Sequence, residues 1–160
     1  MRSSPLMILT TCACLTFLSS PALSAEAWGY WKCVTHQGDA LVKYSTRPQL
    51  FSYHAPPKPT ADPSADFMTN MLAEGEWDMD NWAAFAKSQP DEEKRFRLYM
   101  QESHRECSDG SLLSPPFNTE AEALEAQKPT QQQEWTDQLL IKEMDGVSSV
   151  RYESINWPPQ

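Results

Sequence analysis

Cys33-Val-Thr-His36 and His104-Arg-Glu-Cys107 mirror each other, each setting a cysteine and a histidine at the two ends of a four-residue stretch. Two thiolates and two imidazoles could close a tetrahedral zinc site. The same two sulfurs could instead bond to each other. The spacings are not those of a zinc finger, and the N-terminal leader described below sends the chain to an oxidising compartment, where an even cysteine count reads as a disulfide. The expectation is therefore a Cys33–Cys107 disulfide with His36 and His104 as bystanders and no cofactor. Zinc held by Cys33, His36, His104 and Cys107 is the alternative.

Glu74, Glu76, Asp78 and Asp80 alternate as the first ligands of a calcium loop do. Asn81 stands where such a loop needs glycine and Lys87 where it needs a closing acid, so the run reads as a solvated, helix-capping turn. Of the six tryptophans, Trp77 and Trp157 fall in no clear apolar stripe. They are the candidates for an exposed surface that stacks on a sugar or anchors a partner. No catalytic set emerges. Cys33 and Cys107 are too far apart for a C-x-x-C redox pair, and there is no nucleophile elbow, zinc-protease helix or phosphate loop. Lys94, Arg95, Arg97 and Arg105 interleave with Glu92, Glu93, Glu102 and Glu106 as helical ion pairs rather than as an anion site. A binding role is expected rather than an enzymatic one.

The setting of these residues begins with a leader. Arg2, the apolar run 6–18 and Pro21-Ala22-Leu23-Ser24-Ala25 form a secretory signal peptide, residues 1–25, with cleavage expected after Ala25 and a second small-x-small site at Ala25-Glu26-Ala27. The run is short for a membrane span, so no stable span is expected after cleavage and the address is periplasmic or secreted. The net charge is −9, and losing Arg2 makes it more negative. Such a surface repels nucleic acid and anionic lipid. Five glycines against thirteen prolines favour extended connectors. The expected disulfide closes a loop of about 75 residues, worth about 4 kcal/mol on the chain-entropy estimate.

Residues 26–54 read as a β-hairpin segment. Gly29, Trp31, Cys33 and Thr35 alternate with Trp28, Tyr30, Lys32 and Val34 across a strand. His36-Gln37-Gly38-Asp39 turns, and Ala40–Ser45 returns with Val42 and Tyr44 on one face until Pro48 ends the ladder. Tyr30, Lys32-Cys33-Val34, Gly38 and Tyr44-Ser45 with Pro48 resemble a short domain, without assigned function, found at the N-termini of exported proteobacterial envelope proteins. Gly38 and Tyr44 are two residues further apart than in that pattern, and Thr46 replaces its acidic residue. The resemblance implies a hairpin and an envelope location, and no activity.

Residues 55–63 are a Pro-rich spacer, and 64–113 a helical core segment. Within it, one helix runs Ala65–Glu74, capped by Ser64, with Phe67, Met68, Met71 and Leu72 on one face and Gly75 at its end. Asp78 or Asp80 caps a second, with Trp82, Phe85 and Ala86 inward. Pro90 opens the longest, whose stripe of Phe96, Tyr99, Met100, Ser103, His104 and Cys107 carries the cysteine. Residues 114–160 hold the Ser114-Pro115-Pro116 connector, helices with capping-box spacing at Thr119/Glu122 and Thr130/Gln133, and a strand and tail. Helix then strand is favoured there over a hairpin turning at Asp145-Gly146. The expected fold class is α+β: a small N-terminal β-hairpin packed on, and disulfide-linked to, a mainly α-helical domain with Pro-rich connectors. The expected role is that of a small exported accessory protein binding an envelope protein partner, with a secretion or conjugation apparatus as the analogy. A glycan- or cell-wall-binding or hydrolytic domain is the alternative, and an inhibitor or immunity protein a third.

Overall fold

The computed structural model describes residues 23–108, 110 and 112–159; residues 1–22 of the expected leader lie outside them. The fold is α+β, with the hairpin in place and Cys33 bonded to Cys107, their Cα atoms 5.1 Å apart.

Where one hairpin is expected, two strand pairs form. β1 (Leu23–Gly29) lies antiparallel to β4 (Gln49–Ala55), with Ala25 opposite Tyr53 and Ala27 opposite Phe51. β2 (Lys32–Gln37) and β3 (Ala40–Thr46) make the hairpin proper, turning at Gly38, whose φ of 61° suits glycine. Pro48 ends β3, but the chain resumes as a strand at once. The signal was present in period two: Phe51 and Tyr53 are buried, Ser52 and His54 exposed. β1 also takes in residues 23–25, so a cut after Ala25 would leave Glu26–Gly29 of this strand. The long first strand breaks at Tyr30 and Trp31. There the Trp31 amide donates to Thr46 Oγ1 at 3.0 Å, and the Trp31 carbonyl accepts from the Thr46 amide at 2.9 Å. Trp31, Cys33, Thr35, Val42 and Tyr44 are buried on the faces their alternation predicts.

One long helix replaces the two expected in the helical segment. α1 (Phe67–Ala86) is capped by Asp66, not Ser64, through a 2.8 Å bond from the Thr69 amide. Gly75 lies inside it and stops nothing; glycine costs a helix about 1 kcal/mol, which the rest of a long helix can offset. α2 (Pro90–Glu102) begins at Pro90 as expected and buries Phe96 and Met100 completely. It ends a turn earlier than the stripe predicts. The Ser103 hydroxyl bonds back to the Tyr99 carbonyl, and His104 turns the chain at a φ of 55°. Cys107 therefore sits on the strap after the helix, not on the helix, and the next residue's amide, Ser108, donates to the Val34 carbonyl. α3 (Glu120–Glu125) and α4 (Gln131–Glu143) both start at the expected capping boxes. Helix then strand is the outcome at the C-terminus: β5 (Ser149–Ile155) lies parallel to β3, giving the order β2-β3-β5 beside the β1-β4 pair.

The core centres on Trp31, edge-on to Phe51 and stacked on Phe96 with centroids 5.9 and 5.7 Å away. Phe85 of α1 meets Phe51 and Tyr53 edge-on. Gly29 exists for this contact, since a Cβ there would stand 2.8 Å from the Phe85 ring. The Ser114-Pro115-Pro116 connector is no free spacer. Leu112, Leu113 and Ser114 are fully buried, and this segment bonds to Trp28, Tyr30 and Lys32 along the broken strand.

Replacing both cysteines with alanine is expected to lower stability by about 4 kcal/mol, seen as a reduced urea midpoint. Phe85→Ala should cost about 3–5 kcal/mol. Trp82→Ala, on the same helix but facing solvent, should cost about 1 kcal/mol or less in the same assay.

Candidate functional site

The zinc alternative loses its thiolates to the disulfide. His36 and His104 are exposed and line one shallow groove of about 440 Å3 with Thr35, Gln101 and Glu106. Among the described residues, no three His, Cys, Asp or Glu side chains are grouped to hold a metal. The acidic run fails as a calcium loop for a geometric reason. Glu74, Glu76, Asp78 and Asp80 lie within α1, and successive members two apart in sequence point to roughly opposite sides of a helix.

The two tryptophans singled out by sequence are both half-buried. Trp157 closes the core, packed on Phe96 and Tyr99 with centroids 5.6 and 5.1 Å away. Trp77 pins the Pro-rich spacer to α1: its Nε1 donates to the Pro56 carbonyl at 3.1 Å, and the Lys58 ammonium lies 5.1 Å from its ring centroid. The more open indoles are Trp82, expected inward and found 46% exposed, and Trp135 of α4, 58% exposed. Trp77 and Trp82 line a groove of about 520 Å3 with Tyr53, Asp78, Asn81 and Phe117.

The largest chemical asymmetry lies along α1. Phe85 and Ala84 turn towards β4, and Asn81 accepts a 2.9 Å hydrogen bond from the Tyr53 hydroxyl. Trp77 packs against the Pro-rich spacer, and six other large apolar residues turn outwards. Phe67 is 78% and Met79 71% exposed, with Met68, Met71, Leu72 and Trp82 also open to solvent. On a 3.6-residue helix these six fall on one face, with Gly75 between them. The first four are the face expected from sequence. Its continuation through Met79 to Trp82 is missed there because Gly75 reads as a stop, although the spacing across it stays helical. Acidic side chains border the stripe: Glu74 and Asp78 along one side, Glu76 and Asp80 along the other. Scattered apolar residues on a surface are ordinary, whereas a contiguous apolar stripe rimmed by charge marks an interaction surface.

A second cluster joins Lys43, Asp137 and Tyr152, with no local signal in the sequence. Asp137 is the buried residue of α4. Its carboxylate accepts from Lys43 Nζ at 2.6 Å and from the Tyr152 hydroxyl at 2.6 Å. Burial pulls the Lys43 ammonium down, but its bonds to Asp137 and Tyr152 outweigh that and hold it above the ordinary lysine value. Burial raises the Tyr152 phenol, and the bond to Asp137 adds to this against the pull of Lys43. Neither group is a base or nucleophile near neutrality, so the cluster is a clasp holding α4 to β3 and β5.

Among the described residues, no helix is long and apolar enough to cross a membrane. No family model, curated protein or solved structure matches the chain.

Lys43 and Tyr152 both hold their protons more tightly folded than unfolded. The clasp's contribution is therefore complete below the unfolded values, near pH 10, and is lost as pH rises through the raised folded values. Urea stability should fall on the alkaline side above about pH 10. Asp137→Asn should flatten that fall and cost about 2 kcal/mol at neutral pH. An unchanged alkaline limb in the variant would show that these groups do not control it.

Proposed function

We propose that this chain is a small exported accessory protein of the bacterial envelope, periplasmic or secreted, that works by binding another envelope protein through the solvent-facing stripe of α1. The observation that carries the reading is that stripe, six large apolar side chains on one exposed helix face. The disulfide supports an oxidising address. The leader-like N-terminus and the resemblance of Tyr30 to Pro48 to an envelope domain favour the same address. Methionine supplies three of the six stripe residues, and its flexible thioether adapts to a partner's contour. Secretion or conjugation assemblies are the kind of partner suggested by analogy, and an inhibitor or immunity role would differ only in the protein bound.

The groove between Trp77 and Trp82 favours a second reading, a glycan- or cell-wall-binding face. Indole faces stack on sugar rings, and Asp78 and Asn81 could hydrogen-bond their hydroxyls. Soluble peptidoglycan fragments would then quench tryptophan fluorescence in the native chain and not in Trp82→Ala.

Cells expressing the tagged full chain are expected to yield it in the periplasmic or extracellular fraction, with both residual cysteines protected from thiol labelling until reduction. Crosslinking before lysis should recover one specific envelope protein at native abundance, lost with Met71→Glu plus Met79→Glu. Retention in the cytoplasm with free thiols would overturn the address. Recovery of no specific protein would overturn the role.

A further inference from the structure

From the charge around the stripe we infer the chemistry of its occupant: a basic amphipathic helix of the partner, laid along Phe67 to Trp82. The inference rests on reading the α1 stripe as a docking surface. The stripe spans about 22 Å, the length of some 15 helical residues, and is one side chain or two wide, which suits a second helix packed alongside. The electrostatic rim then selects among apolar helices. α1 contains Glu74, Glu76, Asp78 and Asp80 and no lysine or arginine. Lys58 lies 3.6 Å from Glu74 and partly neutralises it. Among the described residues, no cation pairs with Glu76, Asp78 or Asp80. A partner helix whose apolar seam is flanked by Lys or Arg would set its cations against these carboxylates on both borders of the stripe.

The same charges argue against the other occupants. A second copy packed face to face would bring one acidic rim against another, with no basic residue in either helix to relieve it, on a chain already at −9. Helices that lie in a membrane surface carry lysine and arginine beside their apolar face, so that anionic head groups attract them. Here those positions are acidic and would be repelled.

The probes are two synthetic peptides of about 18 residues, one a leucine–lysine amphipathic helix and the other the same pattern with glutamate for lysine, titrated by anisotropy into the oxidised full chain. The lysine peptide should bind at least about tenfold more tightly than the glutamate peptide, and raising the salt should weaken it by about tenfold. Met71→Glu plus Met79→Glu should weaken it by about tenfold or more, as should Glu76→Gln, Asp78→Asn and Asp80→Asn together. Trp135→Glu, equally exposed but on α4, should leave the affinity unchanged, and thermal melts should show every variant folded. Binding that ignores the α1 variants, a salt-insensitive preference for the glutamate peptide, a dimer abolished by the methionine variants, or binding to anionic vesicles through the stripe would each overturn the inference. Its failure is separable from that of the proposed role. If crosslinks from position 79 in cells reach an envelope protein at a segment without basic residues, the docking role stands and the basic helix falls. If no envelope protein is recovered, the role falls whatever the peptides do.

Discussion

The Cys33–Cys107 bond governs how the helical and strand portions meet. Cys33 lies on the buried face of β2, and Cys107 on the strap that leaves α2. Joining them holds the end of α2 against the hairpin and keeps Phe96 and Met100 over Trp31. Closing a loop of this length removes conformational freedom from the unfolded chain, which matters most where the apolar core is small. The strap is held a second time by the bond from the Ser108 amide to Val34. Trp31 then serves as the point where β1, β2, β4 and α2 converge. Its backbone is engaged by Thr46 and its ring by Phe51 and Phe96.

That compact centre explains the unequal treatment of the helices. Phe85 at the end of α1, together with Phe96 and Met100 of α2, fills the space over the strands. The N-terminal part of α1 extends beyond it, and among the described residues Phe67, Met68, Met71 and Leu72 stay open to solvent. α4 attaches differently, through one buried carboxylate to a lysine and a tyrosine on the sheet. A polar clasp of this kind costs desolvation and is stable only because every member is hydrogen-bonded. It leaves the apolar side of α4, including Trp135, in solvent. Both helices thus present indole and aliphatic surface outwards, but only α1 does so on a face bordered by acids on each side.

Much of the local architecture was legible in the sequence. The cysteine pairing followed from their even number and the expected oxidising address. Thr119/Glu122 and Thr130/Gln133 announced their helices because a capping box is satisfied within four residues. The alternation of Trp31, Cys33 and Thr35 named the inward face because strand side chains can only alternate. Errors came where a local rule was outvoted. Gly75 reads as a stop, and the Phe96-to-Cys107 period as one unbroken helix. In each case contacts from elsewhere, or the length of the element itself, outweighed a preference of about a kilocalorie or less.

What the chain determined by itself is therefore what lies within a turn or a strand: caps, the inward face of the hairpin, the two available sulfurs and the acidic balance. Tertiary structure alone decided which apolar helix faces remain outside, where Trp31 interrupts the first strand, and that Asp137 meets Lys43 across 94 positions. The physical reason is competition. A helix stripe fixes which residues share a face, but whether that face is buried depends on how much core the other elements have already filled, and no periodicity encodes that sum.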